Sequence, residues 1–430
     1  MRVQIEASRL KGSITIPSSK SAMQRACAAA LLNKGTTVIT QPGISNDDQA
    51  ALSIIRQLGA RVQENNGHIL ISSNGLESIR SAHPGTLNCG ESGLSIRMFT
   101  PIAALNPKPI IIDGEGSLKN RPMHFFEEVL PALGVTIQSQ QACIPLHIKG
   151  PLLGKTISVD GSKSSQYITG LIMAYAATVT EKTVIEITDL KSRPYIDLTL
   201  HIMQHFGMNV PRNENYEKFV FQAAYQQERK DIHYTVEADW SSASFLLVAA
   251  AINGVLTVKG LDLDSTQADK AILKALTDAG AHMNFTQDSI NITTGAPLKA
   301  FDFDATDCPD LFPPLVALAA HCSGISRIKG VKRLIHKESN RQQSLEQEFT
   351  RMGLHLYSEG DDMFIHGGQQ LQGAEVCSHN DHRIAMALSI AALNASGTTS
   401  INDAAAIKKS YPGFYSDLKK LGAAIVQTET

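Results

Sequence analysis

The sequence lacks the features that mark secreted and membrane-spanning chains. Its six cysteines are scattered over 430 residues and form no Cys-x-x-Cys pair, which predicts reduced thiols rather than a disulfide or zinc framework. No run approaches the roughly 18 apolar residues that cross a bilayer. The opening segment, MRVQIEASRL, has no apolar centre of a signal peptide. We therefore expect a cytoplasmic protein that does not contact a membrane.

A surplus of positive charge and the common catalytic motifs are also missing. The chain has 39 Lys and Arg against 41 Asp and Glu, a net charge of -2, which argues against a nucleic-acid partner because that requires a broad basic face. The phosphate loop, the dinucleotide fingerprint, H-E-x-x-H and G-x-S-x-G are absent. His201 and His205 are four residues apart, but no Glu or Cys accompanies them, so we predict no metal site.

What the sequence does contain is an internal repeat, in which a polar loop leads into an Ala-rich apolar helix. The pattern begins at Ile16 with IPSSKSAMQRACAAALL and returns at a period of about 70 residues, long enough for a whole supersecondary unit. The later copies start at Asn88, Val159, Val236, Phe303 and His379. A strand-like run follows each apolar helix, and a second helix then ends at a stop such as QLGARV or RMGLHL.

The repeat predicts both the fold class and the domain organisation. Glycine at each stop suits the left-handed residue that ends a helix. Because the Ala-rich helices have no polar face, we expect them to pack together in the interior, with sheets and second helices outside. Six such units predict an α/β (α+β) chain of two domains with three units each.

The predicted chemistry lies where the apolar helices begin. In the first unit, Lys20, Ser21 and Arg25 share the start of a helix, where free backbone N–H groups and two cations suit a phosphate. Capped helices with solvated charges are the structural alternative. The candidate residues of the other units are Glu91, Ser92, Gly93, Arg97, Arg121, Ser164, Ser165, Gln166, Ser192, Asp239, Asp310, Lys337, Glu338, Arg341, Asp381, His382, Arg383 and Lys409. Cations converging from several helix starts would suit a substrate with several phosphates or carboxylates.

Three titratable residues among these cations are candidate acids and bases. A carboxylate among cations stays ionised and can accept a proton, whereas a desolvated carboxyl can deliver one. Each candidate also has a structural alternative. Asp310 could cap the following helix, Glu338 could pair with Arg341 on a helix surface, and His382 could be a core histidine.

Several motifs, taken together and in order, resemble one enzyme family. They are PSSKSAMQRA, DGSKSSQYITGLIMA, SRPYIDLTL, VEADWSSASFLL, KESNR and NDHRIAMA. In these pieces the chain resembles the 3-phosphoshikimate 1-carboxyvinyltransferases, or EPSP synthases, of the enolpyruvyl transferase family. The resemblance implies a two-domain inside-out α/β barrel of six βαβαββ repeats, three per domain. Residues 18-236 would form one domain, and residues 1-17 with 237-430 the other, completed by the N-terminal strands.

The resemblance also implies a reaction and the residues that carry it. Phosphoenolpyruvate would be joined to the 5-hydroxyl of 3-phosphoshikimate through a tetrahedral ketal, with release of phosphate and without a metal or organic cofactor. Asp310 is then the expected base, Glu338 the acid, and Lys20 and His382 complete the catalytic set. The expected phosphoenolpyruvate-binding residues are Lys20, Gly93, Arg121, Gln166, Arg341, Arg383 and Lys409. The expected 3-phosphoshikimate-binding residues are Lys20, Ser21, Arg25, Ser164, Ser165, Gln166, Ser192, Asp310, Arg333 and Lys337.

The family pattern is not matched everywhere, and two alternatives stay open. Glu91-Ser92-Gly93-Leu94 replaces the usual Asn-Ala-Gly-Thr, Ser339-Asn340 replaces Thr-Asp, and Arg333 stands where an asparagine is common. Gly93 is kept at the position where an alanine accompanies tolerance to glyphosate in the family, so we expect glyphosate to compete with phosphoenolpyruvate.

The sister enzyme acting on UDP-N-acetylglucosamine is disfavoured because the loop DGEGSLKNRP has no cysteine. A repeat protein that only binds phosphorylated ligands would have no use for acids among cations. We expect a monomer that closes on its two small-molecule substrates.

Overall fold

Sheets of four strands with one shared topology are the repeating element of the fold. The computed structural model describes residues 1–65, 67–223, 228–295 and 297–429, and within them the strands form six such sheets. The chain divides into two units, one of Ser18–Val236 and one of Met1–Pro17 with Glu237–Thr430. Each unit holds three of the sheets.

The first unit, Ser18–Val236, has one parallel pair in every sheet, followed by two antiparallel pairs. In spatial order the strands are Ile232–Thr235, Lys34–Thr40, His68–Asn74 and Arg61–Asn65; then Thr86–Asn88, Pro109–Asp113, Cys143–Lys149 and Thr136–Gln140; and finally Ile157–Asp160, Thr183–Thr188, Lys218–Phe221 and Arg212–Glu214.

The second unit repeats this order, again with one parallel and two antiparallel pairs in each sheet. Its strands are Leu10–Thr15, Gly254–Lys259, Ser289–Thr293 and His282–Phe285; then Asp302–Asp304, Gly324–Lys329, Asp362–Gly367 and His355–Glu359; and finally Glu375–Cys377, Thr399–Asn402, Arg2–Ile5 and Ile425–Thr428.

Helices alternate with the strands along the chain. The α-helices are α1 (Lys20–Leu32), α2 (Asn46–Gln57), α3 (Leu76–Ser81), α4 (Gly93–Ala103), α5 (His124–Val129), α6 (Ser165–Thr178), α7 (Pro194–His205), α8 (Trp240–Asn253), α9 (Ile272–Asp278), α10 (Phe312–Ala320), α11 (Arg341–Arg351), α12 (His382–Ala392) and α13 (Phe414–Lys420). Short 3-10 helices cover Gly116–Asn120, Pro131–Leu133, Ala268–Ala271, Pro309–Leu311, Val331–Leu334 and Ala404–Lys409. The predicted α/β class and the βαβαββ order of the repeats are confirmed.

Two strands pair in the sheet of another repeat. Leu10–Thr15 leads into α1 but lies parallel to Gly254–Lys259, the strand that follows α8. Ile232–Thr235 leads into α8 but lies parallel to Lys34–Thr40, which follows α1. In addition, the first strand, Arg2–Ile5, pairs with two strands near the C-terminus. The N-terminal strands therefore pair within sheets whose other strands come from the C-terminal half of the chain.

The apolar helices form the interior of each unit. In the first unit α1, α4 and α6 contact one another, and in the second α8, α10 and α12 do so. Their side chains are buried on all faces, and α8 is buried from Trp240 to Ile252. The middle turns of α8 and α10 carry no charged side chain, because a buried charge there would have no water and few partners. Within the described residues, no helix has both the length and the apolar character needed to span a bilayer.

Glycines at the ends of the second helices adopt the left-handed backbone that the sequence pattern predicts. Their φ angles lie between 61° and 101°, at Gly59, Gly134, Gly207, Gly280, Gly353 and Gly422. At Gly59 the space is also restricted, since a Cβ would lie 2.5 Å from the backbone oxygen of Ser78. At Gly207 the nearest atom to a Cβ is the flexible end of Lys230, at 3.1 Å.

These two glycines give a matched stability test. We expect Gly207→Ala to lower the free energy of unfolding by about 1–2 kcal/mol, the cost of a left-handed alanine. Gly59→Ala should lower it by a further ~1–3 kcal/mol, because the backbone near Ser78 must also move. Urea unfolding of the full chain followed by circular dichroism measures both. Equal losses for the two variants would contradict the packing at Gly59.

Candidate active site

The carboxylate of Asp310 lies among three cations in the second unit. Arg341 Nη1 donates to Asp310 Oδ1 at 2.7 Å, and Lys337 Nζ donates to the same oxygen at 3.2 Å. Arg383 Nη2 donates to Oδ2 at 3.0 Å. Asp310 lies in the 3-10 helix Pro309–Leu311 and does not cap α10, so the capping alternative is wrong. The structure thus brings four predicted site residues together.

Arg341 is the centre of this cluster. It is the first residue of α11 and is only 1% exposed. Besides Asp310, its guanidinium binds Asp381, with Nε to Oδ2 at 2.7 Å and Nη2 to Oδ1 at 3.3 Å, and it donates to Glu338. One buried cation therefore holds three carboxylates. The interpretation of Glu338 and Arg341 as an ordinary surface pair is wrong.

The start of α12 supplies the other predicted residues of this unit. Asp381 caps the helix by accepting from the backbone N–H of Arg383 at 2.9 Å. Lys409 Nζ donates to the carbonyl oxygen of Asn380 at 2.6 Å. His382 is buried, with Nδ1 3.9 Å from Asp381 Oδ1. Arg333 lies in the 3-10 helix Val331–Leu334 and is half-buried.

The protonation of the cluster follows from its charges. Burial would raise the pKa of Asp310, but the charges of Arg383, Lys337 and Arg341 outweigh burial and hold the pKa of this carboxyl well below its usual range. Burial lowers the pKa of Lys337, and the charge of Asp310 opposes that shift. Asp310 is therefore an ionised carboxylate at neutral pH.

The first unit carries the predicted residues of α1. Ser19 caps this helix and accepts from the backbone N–H of Ala22 at 3.3 Å. Lys20 Nζ donates to Asp47 Oδ2 at 2.9 Å, and both side chains are largely buried. Ser21, which follows, is half-buried. The Lys20 ammonium is thus held at the start of α1 by an acid of α2.

Arg25, one turn into α1, is almost fully buried. Its Nε donates to Thr199 Oγ1 at 2.9 Å, Nη1 to the carbonyl oxygen of Ser21 at 2.8 Å, and Nη2 to that of Tyr195 at 3.4 Å. All three acceptors are neutral oxygens. Burial lowers the pKa of Arg25 to about 10, while the nearby Tyr195 opposes this shift, so the side chain remains a cation at neutral pH.

Gly93, at the start of α4, lies against two guanidinium groups. A Cβ there would be 2.6 Å from Arg121 Nη1 and 2.8 Å from Arg97 Nη1. Arg97 Nη1 in turn donates to Gln166 Oε1 at 3.0 Å and to the carbonyl oxygen of Gly93 at 3.3 Å. Arg121 Nη2 donates to Ser117 Oγ at 3.3 Å. Three predicted phosphoenolpyruvate-binding residues, Gly93, Arg121 and Gln166, are thereby linked.

The remaining predicted serines begin α6 and precede α7. Ser164 caps α6 and accepts from the backbone N–H of Gln166 at 3.3 Å, and Ser165 is the first residue of the helix. Ser192 is buried, with a left-handed φ of 55°. Thr169 of α6 is bonded to Thr199 of α7 at 3.1 Å, and Thr199 accepts from Arg25 of α1.

Comparison with known proteins decides the family. The family model for EPSP synthase (3-phosphoshikimate 1-carboxyvinyltransferase) matches residues 5–418. The chain belongs to the EPSP synthase family. The 3-phosphoshikimate 1-carboxyvinyltransferase of Clostridium perfringens is 35% identical over 425 residues, 99% of each chain, and that of Methanocorpusculum labreanum is 36% identical over 98% of this chain and 99% of its own. The EPSP synthase structure from Acinetobacter baumannii matches with a TM-score of 0.81 and 25% identity, over 99% of this chain and all of that one. The predicted inside-out α/β fold of this family is thereby confirmed.

One partner of the EPSP synthase residues was missed by reasoning from the sequence, namely Asp47, which pairs with Lys20. Arg97, which bonds to Gln166, and Asp381, the N-cap of α12, are among the helix-start residues that the sequence indicated. No local signal points to Asp47 as the partner of Lys20, since the two are separated by 26 residues in the chain. Among the described residues, no three His, Cys, Asp or Glu side chains cluster as metal ligands.

The depressed pKa of Asp310 predicts a pH-dependent contribution to stability. The folded pKa lies below the unfolded one, so the ionised carboxylate stabilises the fold above about pH 4, and this contribution is lost as the pH falls through the folded pKa. We expect Asp310→Asn to lower the free energy of unfolding by about 1–3 kcal/mol at pH 7, and by less at pH 3. Urea unfolding at both values measures this. The control Asp304→Asn removes an exposed pair with Lys329 and should cost under ~1 kcal/mol. An equal loss for Asp310→Asn at both pH values would contradict the assignment.

Proposed function

We propose that the protein transfers the enolpyruvyl group of phosphoenolpyruvate to the 5-hydroxyl of 3-phosphoshikimate, giving 5-enolpyruvylshikimate 3-phosphate and phosphate. Membership of the EPSP synthase family supports this reaction, as does the activity for which its relatives are named. The observation that carries the proposal is the Asp310 carboxylate held by Lys337, Arg341 and Arg383. A protein that only binds anions gains nothing from a carboxylate among its cations, whereas a transferase needs one as a base.

Binding of phosphoenolpyruvate is assigned to cations at the starts or ends of helices. Arg341, Arg383 and Lys409 belong to the second unit and Lys20 and Arg121 to the first, with Gly93 and Gln166 beside them. A guanidinium can hold a phosphate or carboxylate through two parallel hydrogen bonds. Arg341 and Arg121 are 1% and 5% exposed, so packing limits their movement before the ligand arrives. Preorganised donors of this kind reduce the entropy lost on binding.

Asp310 becomes a stronger base when the cations that it contacts, Arg341 and Arg383, bind the substrate. The phosphate and carboxylate of phosphoenolpyruvate compete with Asp310 for Arg341 and Arg383. As those contacts move to the ligand, the charges that hold the pKa of Asp310 down are partly neutralised, and the pKa rises towards its usual value. Asp310 is then better placed to accept the proton of the 5-hydroxyl.

Glu338 is assigned as the acid. It is bonded to Arg341 and its side chain is 18% exposed. Transfer of its proton to the methylene carbon leaves the neighbouring carbon cationic, and the hydroxyl adds there to give the tetrahedral ketal. Loss of phosphate, together with return of one proton from the new methyl group to Glu338, then restores the double bond. The fixed cations stabilise the charge that the leaving phosphate gathers. Lys20 and the buried His382 complete the catalytic set.

Binding of 3-phosphoshikimate is assigned mainly to the first unit. Arg25 is held by three neutral oxygens, so its charge is available to a phosphate. The hydroxyls of Ser164 and Ser165 lie at the positive end of α6. The complete assigned set is Lys20, Ser21, Arg25, Ser164, Ser165, Gln166, Ser192, Asp310, Arg333 and Lys337.

The domain division, the oligomeric state, the cellular location, domain closure and the response to glyphosate are predictions. We propose that Ser18–Val236 and Met1–Pro17 with Glu237–Thr430 are the two domains of the family fold, each with three repeats. The chain is expected to act as a monomer in the cytoplasm, to need no metal or organic cofactor, and to close on its ligands. Glyphosate is expected to compete with phosphoenolpyruvate, because Gly93 leaves room for Arg121 and Arg97.

Release of phosphate from the two substrates tests the function. The purified protein should release phosphate only when phosphoenolpyruvate and 3-phosphoshikimate are both present. Asp310→Asn should slow release by about 10²–10⁴-fold, the usual worth of a general base, and Asp304→Asn should not. Normal release by Asp310→Asn would remove the base role from this residue. No release by the wild-type protein would contradict the function.

A pair of arginine variants tests the division of substrate contacts. Arg383→Ala should raise KM for phosphoenolpyruvate roughly 10- to 100-fold, the cost of charge-assisted hydrogen bonds, and change KM for 3-phosphoshikimate far less. Arg25→Ala should show the reverse pattern. Steady-state kinetics with each substrate varied in turn measures both. If either variant weakens the two substrates equally, the assignment of that arginine is wrong.

A further inference from the structure

A turn of unusual backbone conformation precedes α12. It joins the strand Glu375–Cys377 to the helix, and two consecutive non-glycine residues in it are left-handed, His379 with φ 53° and Asn380 with φ 54°. L side chains seldom adopt this conformation, and two in succession are rarer still. Contacts from outside the turn must therefore hold it in place.

Glu348 supplies these contacts. It lies on α11, two turns after Arg341, and its side chain is completely buried. Oε2 accepts from the backbone N–H of Cys377 at 3.0 Å, and Oε1 is bonded to His379 Nε2 at 2.8 Å. Arg351 Nη1 lies 3.5 Å from Oε2. Because a buried carboxylate is costly without partners, these bonds hold α11 and the turn to each other.

The same turn also contacts the three cations that are assigned to phosphoenolpyruvate in this unit. The Asp381 side chain grips Arg341 at 2.7 Å and caps α12 at the N–H of Arg383 at 2.9 Å. The carbonyl of Asn380 accepts from Lys409 Nζ at 2.6 Å. A shift of the turn would therefore move all three cations.

A second bond joins the turn to the segment of Lys409. Ser378 Oγ donates to the carbonyl oxygen of Asp403 at 2.8 Å, directly before the 3-10 helix Ala404–Lys409. The turn is thus fixed on one side to α11 and on the other to the helix that ends at Lys409.

We propose that Glu348 and His379 are positioning residues for phosphoenolpyruvate. By pinning the turn Cys377–Asp381 to α11, they set the relative placement of Arg341, Arg383 and Lys409. The proposal rests on the proposed function for the identity of the ligand. Neither residue is assigned a contact with the substrate. Their effect is expected on the binding of its phosphate and carboxylate, which need several cations at fixed spacing.

His379 variants give the first test. His379→Ala removes the ring that binds Glu348, so KM for phosphoenolpyruvate should rise about tenfold, as when a residue behind a direct ligand contact is lost. KM for 3-phosphoshikimate should stay within about twofold of wild type. His379→Gln keeps an N–H donor and should recover most of the affinity. The matched control is His355→Ala, an exposed histidine on the strand His355–Glu359, which should change neither KM.

Two outcomes would overturn the proposal. One is an equal rise in both KM values for His379→Ala, which indicates general damage to the fold. The other is an unchanged KM for phosphoenolpyruvate in a His379→Ala protein that has the wild-type urea midpoint. Glu348→Gln, which keeps an acceptor for Cys377 but loses the charge, should fall between wild type and His379→Ala. If Glu348→Gln does not fold, the His379 series decides alone.

A binding measurement separates this proposal from the proposed function. Calorimetric titration with inorganic phosphate needs no turnover. We expect wild type to bind phosphate and His379→Ala to bind it about tenfold more weakly, with His355→Ala unchanged. Phosphate binding that does not differ between wild type and His379→Ala would refute the positioning role. Absence of phosphate release from the two substrates, with this difference in binding intact, would refute only the function.

Discussion

The buried guanidinium of Arg341 is the interaction on which the second unit depends. Taking a cation out of water is costly, and that cost is offset only when the charge is paired and its N–H groups are bonded. Asp310, Glu338 and Asp381 meet this requirement together. They come from the segment before α10, the segment before α11 and the start of α12, so one side chain ties three helix starts. Loss of any one carboxylate would leave the charge partly uncompensated, which makes the arrangement of these starts interdependent.

The apolar character of the central helices explains why the chemistry is concentrated at their ends. Helices such as α8 and α10 are buried on every side, so charged groups are excluded from their middle turns. The first turn of a helix, by contrast, has unpaired N–H groups and attracts acids or anions. Each repeat therefore keeps the same order of helices and strands, and the residues at the start of its apolar helix vary. Lys20, Gly93, Ser165 and Arg383 all occupy first-turn positions of such helices.

The two units hold their cations in different ways, and the difference has a chemical meaning. In the second unit Arg341 and Arg383 are bonded to carboxylates, which an incoming anion must displace in part. Under the proposed function, this displacement would raise the pKa of Asp310 and would couple binding to the formation of a base. In the first unit Arg25 is bonded to neutral oxygens, so a phosphate can bind it without displacing an acid. Under the proposed function, the carboxylate-bound cations of the second unit suit phosphoenolpyruvate. The neutral partners of Arg25 suit the phosphate of 3-phosphoshikimate, a group that is held and does not react.

The sequence by itself determined the repeat, the buried helices, the left-handed glycines at the helix ends and the cations at the helix starts. These signals act over a few residues, because caps, periodicity and glycine conformations are local. The tertiary structure decided which distant groups meet. Pairing of Leu10–Thr15 with Gly254–Lys259, of Lys20 with Asp47, of Arg97 with Gln166 and of Glu348 with His379 depends on how separate elements pack. Periodicity and capping do not predict such contacts, because the partners are far apart in the chain. They come together only when the apolar helices are buried.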